Sequence, residues 1–345
     1  MQPLDQTRRP LRKDGKKRAL WKFVGYAVGA ACLIWVFHDV NPSRLLKSIA
    51  DMKWQWVALA IFCDILGYCG QGVQWSLLLH PLGRVPLLRS IQAIYAGLFV
   101  NEMLPMRAGE LVRVLLVSRW ISVDFLSVVP SVLVGRLFDG IWLFISIGVT
   151  AAFVSLPKKL MEGMEALGFA VFAGLFLLFW VIRPKKEVLA NHVHNDKRRR
   201  MPQLFRSRIQ AALLGIRAIG TTSHFYISFA VSVLYLLFEG MAFWIGTLAY
   251  GISLSFWPGV ASFLIVRLGT SVPSTPSNVG TYQFFTVFAL SLFGVDKTDA
   301  AGFSAVIFVM LTAPLWLIGL FAISRTGMKF QDVRQGLANL IEKGP

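Results

Sequence analysis

Long apolar runs separated by short polar segments dominate the chain. Six of these runs approach or exceed the roughly 20 residues that a helix needs to cross the hydrocarbon core of a membrane. We therefore predict an all-α polytopic membrane protein. Its full transmembrane helices are expected over residues 20–37, 54–79, 125–156, 166–182, 224–250 and 303–323.

Two further regions, residues 87–120 and 256–293, are apolar but broken by Pro, Gly and polar residues. Each break contains a Pro-x-x-x-Gly motif, Pro105 to Gly109 and Pro276 to Gly280, and the two motifs lie 171 residues apart (276 − 105). The apolar spans before them begin 170 residues apart (224 − 54). Matching breaks in two halves are typical of a duplicated membrane fold with its binding site at the breaks.

The broken regions have two interpretations. Irregular backbone at membrane depth is tolerated only where protein or a water-filled cavity satisfies its polar groups. We interpret both regions as re-entrant helical hairpins. The alternative, that each region is a pair of short ordinary spans, stays open.

Composition agrees with a membrane location. The 345 residues are 55% hydrophobic and only 15% charged, with a mean hydropathy of +0.60, whereas soluble domains carry nearer a quarter charged residues. The three cysteines, Cys32, Cys63 and Cys69, fall inside apolar runs, so we expect no disulfide or metal framework.

The net charge of +17 is unevenly distributed and predicts the orientation. Lys and Arg cluster at residues 8–22, at 183–208 and in the tail after 324, while the other loops are balanced. By the positive-inside rule these three segments are cytoplasmic. We expect the protein in the cytoplasmic (inner) membrane. The predicted parts are a basic N-terminus (1–19), a first membrane half (20–182), a basic linker (183–223), a second half (224–324) and a tail (325–345).

This topology relates the two halves by inversion, because the first hairpin then enters from the cytoplasm and the second from outside. Inverted repeats are typical of transporters that alternate access around a midplane site.

The basic run at 183–208 could also bind anionic lipid head groups. An equally open interpretation is that this basic run only fixes the topology. We expect no nucleic-acid partner.

Several charged residues within the apolar runs need a physical reason, because a charge at the bilayer centre costs roughly 2.5–3.5 kcal/mol. Arg136 and Asp139 share a helix face and could form a purely structural pair or serve a site. Glu239 could partner Arg136, Arg267 or Arg113, or a bound cation or a proton. The run 54–79 likewise holds three polar residues, Asp64, Gln71 and Gln74.

The breaks themselves suggest an anion site. A helix that begins within the membrane presents free N–H groups and the positive end of its dipole. Gly109 and Gly280 would allow a close backbone approach, and arginines supply planar donors suited to phosphate oxygens. Together they predict a phosphate-sized cradle in an apolar shell, although Pro and Gly could also simply kink the helices.

Motifs of common enzyme and cofactor classes are missing. The sequence has no phosphate-binding loop of the Walker type, no His/Cys cluster with metal spacing and no Gly-x-Ser-x-Gly elbow. We therefore expect neither enzymatic activity nor a cofactor or metal.

The motifs resemble a known family. Asn101-Glu102-x-x-Pro105-x-Arg107-x-Gly109-Glu110-x-x-Arg113, Arg136-x-x-Asp139 and Pro276-x-x-x-Gly280-Thr281-Tyr282 are similar to the transmembrane domain of lysylphosphatidylglycerol synthases and to its stand-alone flippase-like relatives. The resemblance covers roughly residues 20–325. It implies a protein that moves lipids between leaflets: aminoacylated phospholipids, or hopanoid-, glycan- or isoprenoid-linked lipids.

The chain also departs from that family. Its members often carry Pro-Gly-Gly-x-Gly followed by Glu, where this chain has Pro276-Ser277-Asn278-Val279-Gly280 and then Gln283. No soluble aminoacyl-transferase domain is visible in it, so we do not expect lipid synthesis.

From these features we expect a flippase for a lipid with a charged head group. Its expected partners are membrane lipids, and the sequence is compatible with an oligomer. The alternatives are a non-transporting accessory subunit of a lipid- or envelope-modifying enzyme and, third, a membrane-embedded transferase. The expected lipid-binding residues are Asn101, Glu102, Arg107, Glu110, Arg113, Arg136, Asp139, Glu239, Arg267, Gly280, Tyr282 and Gln283.

Overall fold

The structure, a computed structural model, describes residues 13–104, 108–155, 158–182, 215–216, 219–220, 222–271 and 275–327. Within these ranges the regular elements are α-helices and a 3₁₀ turn at Pro276–Asn278. In chain order the α-helices with defined ends are α1 (Lys13–Phe37), α2 (Pro42–Ala50), α3 (Trp54–Leu79), α4 (Leu87–Met103), α5 (Gly109–Trp120), α6 (Phe125–Ala151), α7 (Lys158–Ile182), α8 (Ser223–Tyr250), α9 (Phe256–Gly269), α10 (Thr281–Leu292) and α11 (Lys297–Ser324).

Four helices are long and apolar enough to cross a membrane: α3, α6, α8 and α11, each of 26 to 28 residues. They coincide with four of the six predicted spans. The other two predicted spans, 20–37 and 166–182, fall within α1 and α7, which have 25 residues each. The prediction of an all-helical polytopic membrane protein is confirmed.

The two broken regions form pairs of short helices. α4 and α5 have 17 and 12 residues, and α9 and α10 have 14 and 12, all below the roughly 20 residues of a full span. Within each pair the helices pack against each other. One order of elements, a long helix, two short helices and a long helix, therefore occurs twice, as α3–α6 and as α8–α11.

The helix ends follow from local sequence. Asp124 accepts a hydrogen bond of 3.0 Å from the Leu126 amide at the start of α6, and Asp296 accepts one of 2.9 Å from the Thr298 amide at the start of α11. Gly251, with a φ of +93°, ends α8 in the left-handed conformation that glycine favours. These caps satisfy backbone groups that the helices leave unpaired.

Helices α3 and α8 pack against each other along an extensive contact. The Lys53 amide donates to the Ala249 carbonyl at one end, and Ser228 Oγ donates to the Gln74 carbonyl at the other. The two helices are therefore antiparallel. Gly67 lets them approach, since a Cβ there would lie 3.1 Å from Glu239 Cγ. Small residues at such contacts are the usual means of close packing between membrane helices.

Two large apolar clusters fill the bundle, beside a small one of Leu143, Ile147 and Leu264. The first joins the C-terminal part of α3 to α4, α5 and α6 and includes Trp75, Ile94 and Phe138. The second joins the N-terminal part of α3 to α1 and α8–α11 and includes Val57 and Phe303. The middle of α3, between the clusters, carries polar residues, and this is where the candidate site lies.

Some predicted features lie outside the described residues. They are Arg107, the N-terminal residues 1–12, the basic run 183–208 and the tail from residue 328. The predictions made for them, and the division of the chain into five parts, stay predictions.

Candidate functional site

A polar cavity of about 460 Å³ opens between the two apolar clusters. Three acidic residues that line it lie near the middle of long helices. Asp64 is residue 11 of 26 in α3 (64 − 54 + 1), Asp139 is residue 15 of 27 in α6 (139 − 125 + 1), and Glu239 is residue 17 of 28 in α8 (239 − 223 + 1). The cavity therefore lies at about half the height of the spans.

Both breaks reach this cavity. Asn101 and Glu102, at the end of α4, lie on its wall together with Ser277 and Asn278 of the 3₁₀ turn. Ser277 Oγ donates a hydrogen bond of 3.0 Å to the main-chain carbonyl of Glu102. Two segments that are far apart in sequence thus form one continuous surface of the cavity.

At the first break, a side chain from the end of α4 binds the first amide of α5. Asn101 Oδ1 accepts a hydrogen bond of 2.8 Å from the Gly109 amide, which caps the start of α5. A Cβ at Gly109 would collide with the main-chain carbonyl of Gly97 on α4. Glycine at position 109 is thus what lets α5 pack against α4 at the end of the break.

The second break has a comparable cap and a strained turn. Gly280, with a φ of +91°, donates its N–H over 2.7 Å to Gln283 Oε1. Ser277 and Asn278 also have positive φ values, 55° and 51°. Left-handed residues other than glycine store strain and are concentrated at binding and switching segments. A Cβ at Gly280 would collide with the backbone of Gly29 on α1.

These caps concern two residues whose expected role was at the site, of which Gly109 lines the cavity. We predicted that Gly109 and Gly280 would offer their backbone to a ligand, but each amide is occupied by a side-chain amide oxygen, and each glycine faces a neighbouring helix. Gly280 and Gln283, which we expected to bind lipid, do not line the cavity. Their contacts instead hold the start of α10 in place.

Two arginines on the cavity wall are neutralised by carboxylates. Arg136 on α6 pairs with Asp139, one turn further along the same helix at 3.1 Å, and also with Glu110 on α5. Arg267 on α9 pairs with Glu239 on α8. Of the three partners considered for Glu239, the structure selects Arg267. Such pairs offset the cost of placing charges at membrane depth and fix neighbouring helices to one another.

Arg113 on α5 differs from these two. Within the described part of the chain no carboxylate lies within 4.0 Å of its guanidinium, which stacks over the Trp75 ring at 5.1 Å from the ring centroid. Its Nε is buried, and no hydrogen-bond partner for it occurs among these residues. Arg113 thus lines the cavity with a charge that is not paired with any carboxylate of the described residues.

The match to a known family supplies independent support for the membrane assignment. The family model described as the lysylphosphatidylglycerol synthase TM region matches residues 22–319, which is 298 of the 345 residues (319 − 22 + 1). The chain belongs to this family. The predicted family resemblance is thereby confirmed.

Two relatives are described only as UPF0104 membrane proteins. One, from Methanothermobacter thermautotrophicus, is 20% identical over 349 aligned positions that cover 95% of this chain and 99% of the relative. The other, from Methanocaldococcus jannaschii, is 23% identical over 210 positions that cover 59% of this chain and 83% of the relative.

Most of the expected site residues of this family member line the cavity. Arg107 is outside the described residues, and Gly280 and Gln283 lie beside the cavity but not on its wall. The nine that line it are Asn101, Glu102, Glu110, Arg113, Arg136, Asp139, Glu239, Arg267 and Tyr282. Whether they bind lipid stays a prediction.

The structure adds residues to the site that the sequence reasoning left out. Asp64, Tyr68 and Gln71 of α3 line the cavity at successive turns of the helix. Two of them could be noticed in the sequence, because Asp64 and Gln71 are polar residues in an otherwise apolar run. Thr275 and Ser277 also line the cavity, but polar residues in a Pro-rich break gave no comparable signal.

Proposed function

We propose that this protein is a lipid translocase of the cytoplasmic membrane. In this proposal the head group crosses through the mid-span cavity while the acyl chains stay in apolar surroundings. The main support for this proposal is the position of the cavity. A charged head group cannot cross hydrocarbon cheaply, and a polar cavity at half the height of the spans replaces part of its hydration.

The proposal includes an inverted repeat with two re-entrant hairpins. Each helix of the second half begins 169 to 172 residues after its counterpart, from 223 − 54 for α8 to 297 − 125 for α11. The counterparts α3 and α8 are antiparallel, as an inverted repeat requires. The short lengths of α4, α5, α9 and α10 support hairpins that enter and leave on one side. With cytoplasmic termini, this is the architecture of alternating-access transporters.

We assign the phosphate of the lipid head group to Arg113. Since Arg136 and Arg267 are held by carboxylates, Arg113 is the described cavity arginine whose charge is available to an incoming anion. A guanidinium offers a planar fork of donors that matches phosphate oxygens. Apolar wall residues, Leu143, Leu167 and Phe263, would face the glycerol and the upper acyl chains.

Transport explains the cavity better than an accessory role does. A scaffold subunit has no need of an open polar space at mid-span, and its buried charges should be paired. Here Arg113 and Asp64 line such a space without an ion-pair partner among the described residues. The family description names a synthase of a phospholipid derivative, which supports a lipid as the substrate. We propose transport without covalent chemistry.

Leaflet exchange tests this proposal. Purified protein is reconstituted into liposomes that contain a fluorescent anionic phospholipid, and a membrane-impermeant reductant is added outside. We expect a larger quenched fraction than in protein-free liposomes, because lipid from the inner leaflet reaches the reductant. Arg113→Ala should abolish the excess, whereas Arg119→Ala, an exposed position on the same helix away from the cavity, should not.

The opposite result is equally clear. Quenching equal to that of empty liposomes, for anionic and for aminoacylated phospholipids alike, would contradict translocation of these lipids and favour the accessory role.

A further inference from the structure

Asp64 is an unusual carboxylate for a membrane-embedded position. It lies in the middle of α3 on the cavity wall and is only 4% exposed. Among the described residues no basic side chain lies within 4.0 Å of it, and no hydrogen bond reaches it. A buried ionised carboxylate without a countercharge is among the costliest groups that a protein can hold.

The other cavity acids on the long helices do not share this property. Asp139 is paired with Arg136, and Glu239 is paired with Arg267. Two of the three described cavity arginines, Arg136 and Arg267, are therefore committed to other carboxylates, and the third, Arg113, lies over Trp75, eleven residues further along α3 than Asp64 (75 − 64). Asp64 is left to balance its own charge.

The neighbours of Asp64 do not supply a cation either. One turn further along α3 lies Tyr68, and Glu239 on the antiparallel α8 is an acid that interacts electrostatically with Asp64. Each of the other packed helices presents neutral, acidic or already paired groups. These are Tyr95 and Glu102 on α4, the Arg136–Asp139 pair on α6, Arg267 on α9, Tyr282 on α10 and Leu311 on α11.

We propose that Asp64 is a proton-binding site and carries a proton in the conformation described. Two carboxylates that share a poorly solvated space cannot both stay ionised at low cost, and Glu239 already has its arginine. The proton comes from cavity water, binds a carboxylate oxygen of Asp64 and returns to water when the site opens. No other bond forms or breaks, so the step balances without a co-reactant.

The proton has a use in transport, and this part of the inference rests on the proposed function. A neutral Asp64 does not repel an anionic head group in the same cavity, whereas an ionised one does. Proton binding and anion binding therefore favour each other, and by thermodynamic linkage the coupling is reciprocal. A proton gradient could then drive the lipid in one direction.

Infrared difference spectroscopy tests the proton site without reference to transport. Full-length protein in lipid nanodiscs is titrated with acid and base, and the stretching band of protonated carboxyl groups is recorded. We expect a pH-dependent band in the wild type that disappears in Asp64→Asn and returns, shifted, in Asp64→Glu. It should persist in Asp51→Asn, the matched control at an exposed position outside the cavity.

A band that survives unchanged in Asp64→Asn, or a wild type without one, would overturn the proton site. Asn resembles the protonated form in shape and charge, so we also expect Asp64→Asn to keep the thermal midpoint of the wild type. If that variant fails to fold, Asp64→Glu decides the matter: with isotope-labelled aspartate, a labelled band that stays at the wild-type frequency in Asp64→Glu would also overturn the assignment.

Leaflet exchange with an imposed pH gradient tests the coupling. We expect the wild-type exchange of an anionic phospholipid to change several-fold with the gradient and that of Asp64→Asn to be insensitive to it. Wild-type exchange that ignores the gradient would overturn the coupling alone. No exchange in the wild type, with the infrared band present, would contradict the proposed function but not the proton site.

Discussion

Ser277 donates a hydrogen bond of 3.0 Å to the main-chain carbonyl of Glu102, a residue 175 positions earlier in the chain. The contact joins the second break to the end of α4 at the first break. Since Ser277 holds a left-handed conformation with a φ of 55°, the bond also secures a strained turn. The cavity depends on this junction, because both of its sides belong to the cavity wall.

Removing the junction bond should loosen the site. We expect Ser277→Ala to lower the free energy of unfolding by about 1 kcal/mol, because a partly buried carbonyl loses its donor while the backbone strain remains. Thermal unfolding followed by tryptophan fluorescence in detergent measures this change. Ser324→Ala, which removes an exposed local bond to the Phe321 carbonyl, is the matched control. Equal midpoints for the two variants would show that the junction contributes nothing.

The contact between α4 and α5 should tolerate no side chain at position 109. In Gly109→Ala the new Cβ meets the main-chain carbonyl of Gly97, a backbone atom that cannot rotate away. We expect the hairpin to open and the thermal midpoint to fall by several degrees. In Gly148→Ala on α6 the Cβ meets nothing within 4 Å, so this variant should match or exceed the wild type. A similar midpoint for both alanine variants would contradict the packing described here.

The pair between Glu239 and Arg267 should behave as a coupled unit. Glu239→Gln leaves a largely buried arginine without its counterion, and we expect a loss of about 3 kcal/mol in the free energy of unfolding. The exchange Glu239→Arg with Arg267→Glu keeps both charges in contact and should recover part of that loss. A double-mutant cycle in chemical denaturant gives the coupling energy. A coupling energy near zero would mean that the pair is incidental.

The sequence was sufficient to predict four of the spans and both breaks, because long apolar runs and the Pro and Gly residues that interrupt them are local features. It also indicated the Arg136–Asp139 pair, since an i, i+3 spacing on one helix implies proximity. It could not distinguish Arg267 from the other partners of Glu239, because that choice depends on how α8 and α9 pack. Nor could it show that Asn101 and Gln283 occupy the glycine amides that we expected to receive a ligand.

Asp64 illustrates a different limit. As a polar residue in an apolar run it was visible in the sequence, but its importance comes from what surrounds it. Three of the other cavity acids are tied to arginines, and this partition exists only in the folded bundle. Sequence alone can mark such residues as costly and cannot say which of them stays without a countercharge.

The central claim is that the mid-span cavity holds an anionic lipid head group at Arg113. Native mass spectrometry of the protein released from nanodiscs of anionic phospholipid measures this directly, as the fraction of protein that retains a lipid. We predict at least one retained lipid on the wild type and on Arg119→Ala, and a loss of about tenfold in retention for Arg113→Ala, equivalent to about 1.4 kcal/mol. Equal retention by the wild type, Arg119→Ala and Arg113→Ala would contradict the assignment of the cavity as the head-group site.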